Sequence, residues 1–136
     1  MQYLLKLLLI TLILALAACS PPKKENFDSS MTTIEQLTRW NEFAGIVNMI
    51  DPEYLEDNPV SDLDVERLKQ FRTSSYTVTQ KQMSADEKSY RQTVVLKMYS
   101  VHNPVERQIR WQQEWRFNKE TNRWTMFSGL PDLSRQ

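Results

Sequence analysis

The side chains with the most to offer chemically crowd the last third of the chain. Arg107, Arg110, Arg116 and Arg123 lie close in sequence to Trp111, Trp115 and Trp124. Guanidinium and indole groups are favoured anchors of protein interfaces, so this constellation is a candidate binding surface. The same pattern also fits tryptophans buried as core knobs with arginines shielding a sheet face. Arg107 stands apart because it shares the parity of Ile109 and Trp111; an inward arginine at a rim could meet an acid or an anionic ligand, or extend outward to solvent. His102 is the single histidine and sits beside Asn103 and Pro104, where a solvated turn is expected rather than a catalyst. Asp51, Glu53, Glu56 and Asp57 have enough carboxylates to suggest calcium, yet they lack the ordered loop with a mid-loop glycine that calcium sites use. Glu106 and Glu114 share one face of a strand but stand roughly 26 Å apart along it, too far for a glycosidase pair. The sequence has no glycine-rich phosphate loop, nucleophile elbow or metal-histidine motif. The lone cysteine, Cys19, excludes an intrachain disulfide framework and a thiolate zinc cluster. The expectation is therefore a protein without catalysis, metal or cofactor.

Charge is divided along the chain. Residues 19–66 hold 11 acidic and 3 basic side chains, whereas residues 67–136 hold 13 basic and 6 acidic. A basic second half could steer an anionic partner; equally, the two halves could be the wet faces of two layers that attract each other weakly. Nucleic acid is not expected as a partner, because the basic residues are interleaved with acids rather than clustered.

The chain starts with Lys6 ahead of an apolar run from Leu7 to Ala18 broken only by Thr11. A short positive start and about a dozen apolar residues are the parts of a secretory signal, and the run is short of the roughly 20 residues of a comfortable bilayer span. Leu16-Ala17-Ala18-Cys19 resembles the lipobox of bacterial lipoproteins. The resemblance implies cleavage before Cys19 and attachment of acyl chains, palmitate among them, by the lipoprotein maturation machinery. Ser20 in place of Asp after the cysteine implies sorting to the outer membrane, with the domain facing the periplasm. The expected organisation is a signal peptide over 1–18, a lipidated cysteine and polar tether over 19–31, and a single α+β domain over 32–136.

Within that domain Thr32-Thr33-Ile34-Glu35 fits a capping box. It opens a predicted helix of about four turns with Leu37, Trp40, Ala44 and Val47 on one stripe, flanked by Phe43 and Ile50. Residues 53–58 read as a loop or single turn. A second helix starts at Ser61 or Asp62 and uses Leu63, Val65, Leu68 and Phe71. From Ser74 the period changes to two. Tyr76 to about Met83 reads as a strand, 84–88 as a turn, and 89–101 as a long strand with both faces partly covered. The next strand, 105–117, alternates most clearly: Val105, Arg107, Ile109, Trp111, Gln113, Trp115 and Phe117 point one way, and Glu106 to Arg116 on even numbers point the other. Arg123 to Phe127 closes the meander. Helices before long antiparallel strands predict an α+β layer arrangement, with N-terminal helices on the apolar side of a curved four-stranded antiparallel meander.

The order of N-terminal helices, long antiparallel strands and a last strand with Arg123-Trp124 before Gly129-Leu130-Pro131 resembles the NTF2-like (cystatin-like) cone fold, over roughly residues 32–133. That resemblance implies a sheet wrapped toward its helices and a possible ligand cavity. His102 and the acids do not reproduce the Asp/His pair of enzymatic members. The function expected from the sequence is non-catalytic binding by a lipid-anchored cell-envelope protein, with another envelope protein as partner. The alternative is a carrier or sensor of a small apolar or anionic ligand held in the cone.

Overall fold

The computed structural model describes Met1 and residues 23–134. Cys19, the signal segment and the first residues of the expected tether lie outside the described residues. Helices α1 (Lys23–Arg39), α2 (Phe43–Val47), α3 (Pro52–Asp57) and α4 (Asp62–Lys69) precede strands β1 (Phe71–Met83), β2 (Ser89–Ser100), β3 (Asn103–Asn118) and β4 (Arg123–Met126). The strands form one antiparallel sheet in the order β1-β2-β3-β4, a meander that bends at bulges and does not close. This is the α+β architecture that the change of period predicts.

The N-terminal boundary differs from the expectation. Residues 23–31, expected as part of the polar tether, form the first half of α1. Phe27, Met31 and Ile34 recur at helical spacing and pack toward the sheet. The Phe27 ring meets Tyr90 at 4.8 Å and Trp124 at 5.1 Å between centroids, both edge to face. Asn26 Nδ2 donates to the Asn122 carbonyl oxygen at 2.9 Å. These contacts hold a polar stretch in helical form, so Thr32 and Glu35 lie mid-helix and cap nothing.

The single helix expected as far as Ile50 is two helices. Asn41 adopts φ 61, the left-handed conformation that ends a helix. Glu42 N–H donates to the Leu37 carbonyl and Asn41 N–H to the Thr38 carbonyl, the paired bonds of a Schellman stop. The break turns Phe43, Ile46 and Ile50 into the core and leaves Trp40 77% exposed. Trp40 is thus not the core residue that its place on the stripe suggests. The segment 53–58, expected as a loop or single turn, is the short helix α3 with its C-cap Asn58; Asp51 caps it from the preceding position and Pro52 starts it. The second helix starts at Asp62 as expected, with Ser61 capping α4 in a reciprocal box with Asp64, but Phe71 belongs to β1.

The core lies between the helices and one face of the sheet. It is built from Ile34, Phe43, Ile46, Ile50 and Leu68 against Tyr76, Tyr90, Val94, Leu96, Met98, Ile109, Trp111, Trp115, Trp124 and Met126. The far edge of β4 is sealed by the chain before α3: Met126 N–H donates to the Met49 carbonyl and Asp51 N–H to the Met126 carbonyl. On the opposite face of β2, which no helix or strand covers among the described residues, Arg91, Lys97 and Tyr99 are exposed while Thr93 and Val95 are half-buried.

Candidate functional site

Cross-strand register decides which of the candidate residues meet. Arg110 pairs with Val95, Arg116 with Ser89 and Thr125, and Arg123 with Asn118. Directly paired residues share a face, so Arg110, Arg116 and Arg123 all project from the side of the sheet away from the helices. The tryptophans do not join them. Trp111 is 3% exposed, Trp115 0% and Trp124 5%. The odd parity of Trp111 and Trp115, which the sequence displays, places both against the helices, and Trp124 stands beside Phe117 on the same side. The Arg/Trp surface therefore separates into an arginine face and a tryptophan core. Arg107 keeps the tryptophan parity opposite Met98 but is exposed.

The arginine face is a lattice of ion pairs. Glu114 Oε1 accepts from Arg116 Nε at 3.1 Å and Nη2 at 2.9 Å, and Glu114 Oε2 lies 3.5 Å from Arg91 Nε. The Arg116 guanidinium also stacks 3.9 Å above the Phe127 ring. Glu106 accepts from Ser74 Oγ at 2.8 Å and lies 3.8 Å from Lys97. Glu106 and Glu114 are thus held apart, each by its own cations. Arg110 stands between these clusters, and among the described residues it forms no salt bridge. Beside it an open cleft of about 810 Å³ separates β3 from the segment 128–134, with Val95, Arg110, Trp111, Tyr54 and Leu130 in its walls.

The remaining sequence candidates serve the fold. Asp51 spends one carboxylate oxygen on the Glu53 N–H at 3.0 Å and the other on Thr125 Oγ1 at 2.7 Å, tying α3 to β4. Glu53, Glu56 and Asp57 are exposed around it, and no group of three potential metal ligands assembles among the described residues. His102 is exposed in the turn between β2 and β3.

One feature escaped the sequence reading: a polar network inside the core. Gln92 and Gln113 face each other across β2 and β3 and are 6% and 2% exposed. Gln92 Nε2 donates to Gln113 Oε1 at 2.7 Å, and to the Tyr76 hydroxyl at 3.3 Å. Tyr90 donates to Gln92 Oε1 at 3.2 Å, and Trp115 Nε1 to Gln113 Oε1 at 3.1 Å. Gln113 Nε2 completes no hydrogen bond. The signal was two glutamines at core parity on strands that pair, which only the register reveals.

Burial pushes the Tyr76 phenol up to about 12 from its ordinary 10.0. The unfolded chain therefore ionises this group first as pH rises. The folded state binds more protons between pH 10 and 12, and stability should fall across that window by about 2 kcal/mol. Tyr76→Phe should flatten that decline, as read from urea midpoints at a series of alkaline pH values. An equally steep decline in the variant would place the titrating group elsewhere.

No family model matches the chain, and no curated protein matches it. Among solved structures, the chain is similar to the solution structure of a SEC-C motif containing protein from Rhodopseudomonas palustris, with a TM-score of 0.56 and 15% sequence identity over 74% of this chain and 73% of that one. At that identity the likeness shows the fold alone.

Proposed function

We propose that the protein is a bacterial lipoprotein, acylated at Cys19 and held on the periplasmic side of the outer membrane, that acts by non-catalytic binding of another envelope protein. The observation that carries the binding role is the face of the sheet opposite the helices. Among the described residues no helix or strand covers it, and it presents Arg110, Arg116 and Arg123 together. Exposed arginines on a rigid sheet are suited to an anionic protein surface, because the fork geometry is preorganised and the encounter is electrostatically steered. The anchoring rests on the lipobox-like sequence. Among the described residues no helix is long and apolar enough to cross a membrane.

Joint replacement Arg110→Gln and Arg116→Gln tests the face. The two side chains stand about 20 Å apart along β3, so they do not grip one small anion together. Capture of the partner by the full-length protein should fall, more at low than at physiological salt. Thermal stability should drop by no more than about 1 kcal/mol, from the lost Arg116–Phe127 stacking and the Glu114 pair. Unaltered capture with an unaltered melt would defeat the assignment of this face.

A second reading is supported by the core network. The layer order is compatible with an NTF2-like cone, and the Gln113 amide nitrogen has an unused donor on the helix side of the sheet. A carrier or sensor of a small anionic ligand would place an acceptor oxygen there. Native mass spectrometry of the gently extracted protein distinguishes the two readings by finding either a small molecule or a protein bound.

A further inference from the structure

The hydrogen-bonding direction of β3 can be read from two bonds. Phe117 N–H donates to Lys88 on the β2 side, and Phe127 N–H donates to the Glu114 carbonyl on the β4 side. Backbone groups alternate along a strand, so odd-numbered residues of β3 bond to β2 and even-numbered residues point away from it. Ladder pairing with β4 covers only residues 115–118, and Phe127 and Ser128 extend the cover to Glu114. Beyond that point the N–H and C=O groups of Gln112, Arg110, Gln108 and Glu106 have no neighbouring strand among the described residues. The chain after β4 instead dives beneath the sheet, where Trp111 Nε1 donates to the Gly129 carbonyl at 2.9 Å and Leu130 packs on the core. The cleft of about 810 Å³ is the space left beside this open edge.

The other edge of the sheet is guarded. Strand β1 carries two register shifts, Asn41 Oδ1 accepts from the Thr73 N–H at 2.9 Å, and Arg39 donates to the Tyr76 carbonyl at 3.3 Å. Bulges and side chains that occupy backbone groups are the means by which proteins keep edges from pairing. From Glu106 to Gln112 the register with β2 is regular, and no side-chain bond to these backbone groups is formed among the described residues.

We propose that the edge of β3 from Glu106 to Gln112 receives an extended segment of the partner protein as a fifth strand, with acidic and apolar residues alternating along it. This deepens the proposed binding role by naming how the partner docks. The backbone ladder supplies the attachment, and the two sides of the cleft supply the choice of side chains. On the outer side the incoming strand runs past Gln108, Arg110 and Gln112, where the Arg110 guanidinium, which forms no salt bridge among the described residues, selects a carboxylate. On the inner side it runs past Trp111, Tyr54 and Leu130, which select apolar groups. Glu106 to Gln112 extends over about 20 Å, enough for a segment of about seven residues.

Amide hydrogen exchange on the full-length protein in detergent tests this directly. In the free protein the amides of Gln108, Arg110 and Gln112 should exchange freely while those of Ile109, Trp111 and Gln113 are protected. A blocked peptide of about seven alternating valines and glutamates should slow the three even-numbered amides by at least roughly tenfold, the equivalent of one net backbone hydrogen bond. The same peptide N-methylated on its pairing edge should not. Even-numbered amides already protected in the free protein, or equal binding of both peptides, would overturn strand addition. Concentration-dependent self-association that protects the same amides would overturn it in favour of a second copy of this chain. If partner capture depends on Arg110 and Arg116 while the partner leaves the edge amides unprotected, the face reading stands and the edge proposal falls alone.

Discussion

Trp115→Ala should cost about 3–5 kcal/mol of folding stability, a large part of the roughly 5–15 kcal/mol that holds a domain together. The indole is fully buried on the helix side of β3. Its removal opens a cavity in the core between the helices and the sheet, and the core network loses the Nε1 bond to Gln113 Oε1. Rigid strand backbones on both sides limit how far that cavity can collapse. Trp40→Ala provides the internal comparison. That ring is 77% exposed past the end of α1, so its loss should change stability by no more than about 0.5 kcal/mol. Urea unfolding of the full-length protein, followed by near-ultraviolet circular dichroism, reads both. Equal midpoints for Trp115→Ala and the unaltered protein would mean that the core is not where β3 places it.

The contrast between those two tryptophans also shows where the sequence was legible. Strand parity is local: Ile109, Trp111 and Trp115 face the core because the strand period is two, and nothing distant can change that without moving the whole strand. The meander order, the start of α4 and the arginine face all follow from such local rules. The helix stripe through Trp40 failed because one residue, Asn41, takes the left-handed conformation and resets the phase of everything after it. Asparagine enters that region less readily than glycine, so the stop carried only a weak signal. The first half of α1 was hidden for the opposite reason. Residues 23–31 are polar and follow two prolines, and only the docking of Phe27 between Tyr90 and Trp124 makes them helix. The Gln92–Gln113 network and the open edge of β3 depend on register between strands and on the path of residues 127–134. Periodicity within one segment contains neither.

Cys19→Ser should abolish membrane attachment altogether, the largest change expected from any single substitution in this chain. The thiol is the acceptor for lipid in the proposed lipoprotein, and the serine hydroxyl does not replace it in that reaction. A single acyl chain binds a bilayer only marginally, whereas two or three hold it for good, so partial attachment is not the expected outcome. The fold adds a geometric consequence. Three residues separate Cys19 from Lys23, the first described residue of α1, a reach of about 14 Å at full extension. This part of α1 is fixed in turn to the β3–β4 turn, through Asn26 Nδ2 on the Asn122 carbonyl. An anchored protein must therefore hold that end of the sheet against the headgroups, and the turn between β2 and β3, at the other end of the long strands, far from them. Labelling with a clickable fatty acid should mark the unaltered protein and not Cys19→Ser. A paramagnetic headgroup lipid should broaden the Asn122 amide far more than that of His102. Equal labelling of the two proteins would sink the anchor; labelling of the unaltered protein with equal broadening at both turns would keep the anchor and refute the short tether.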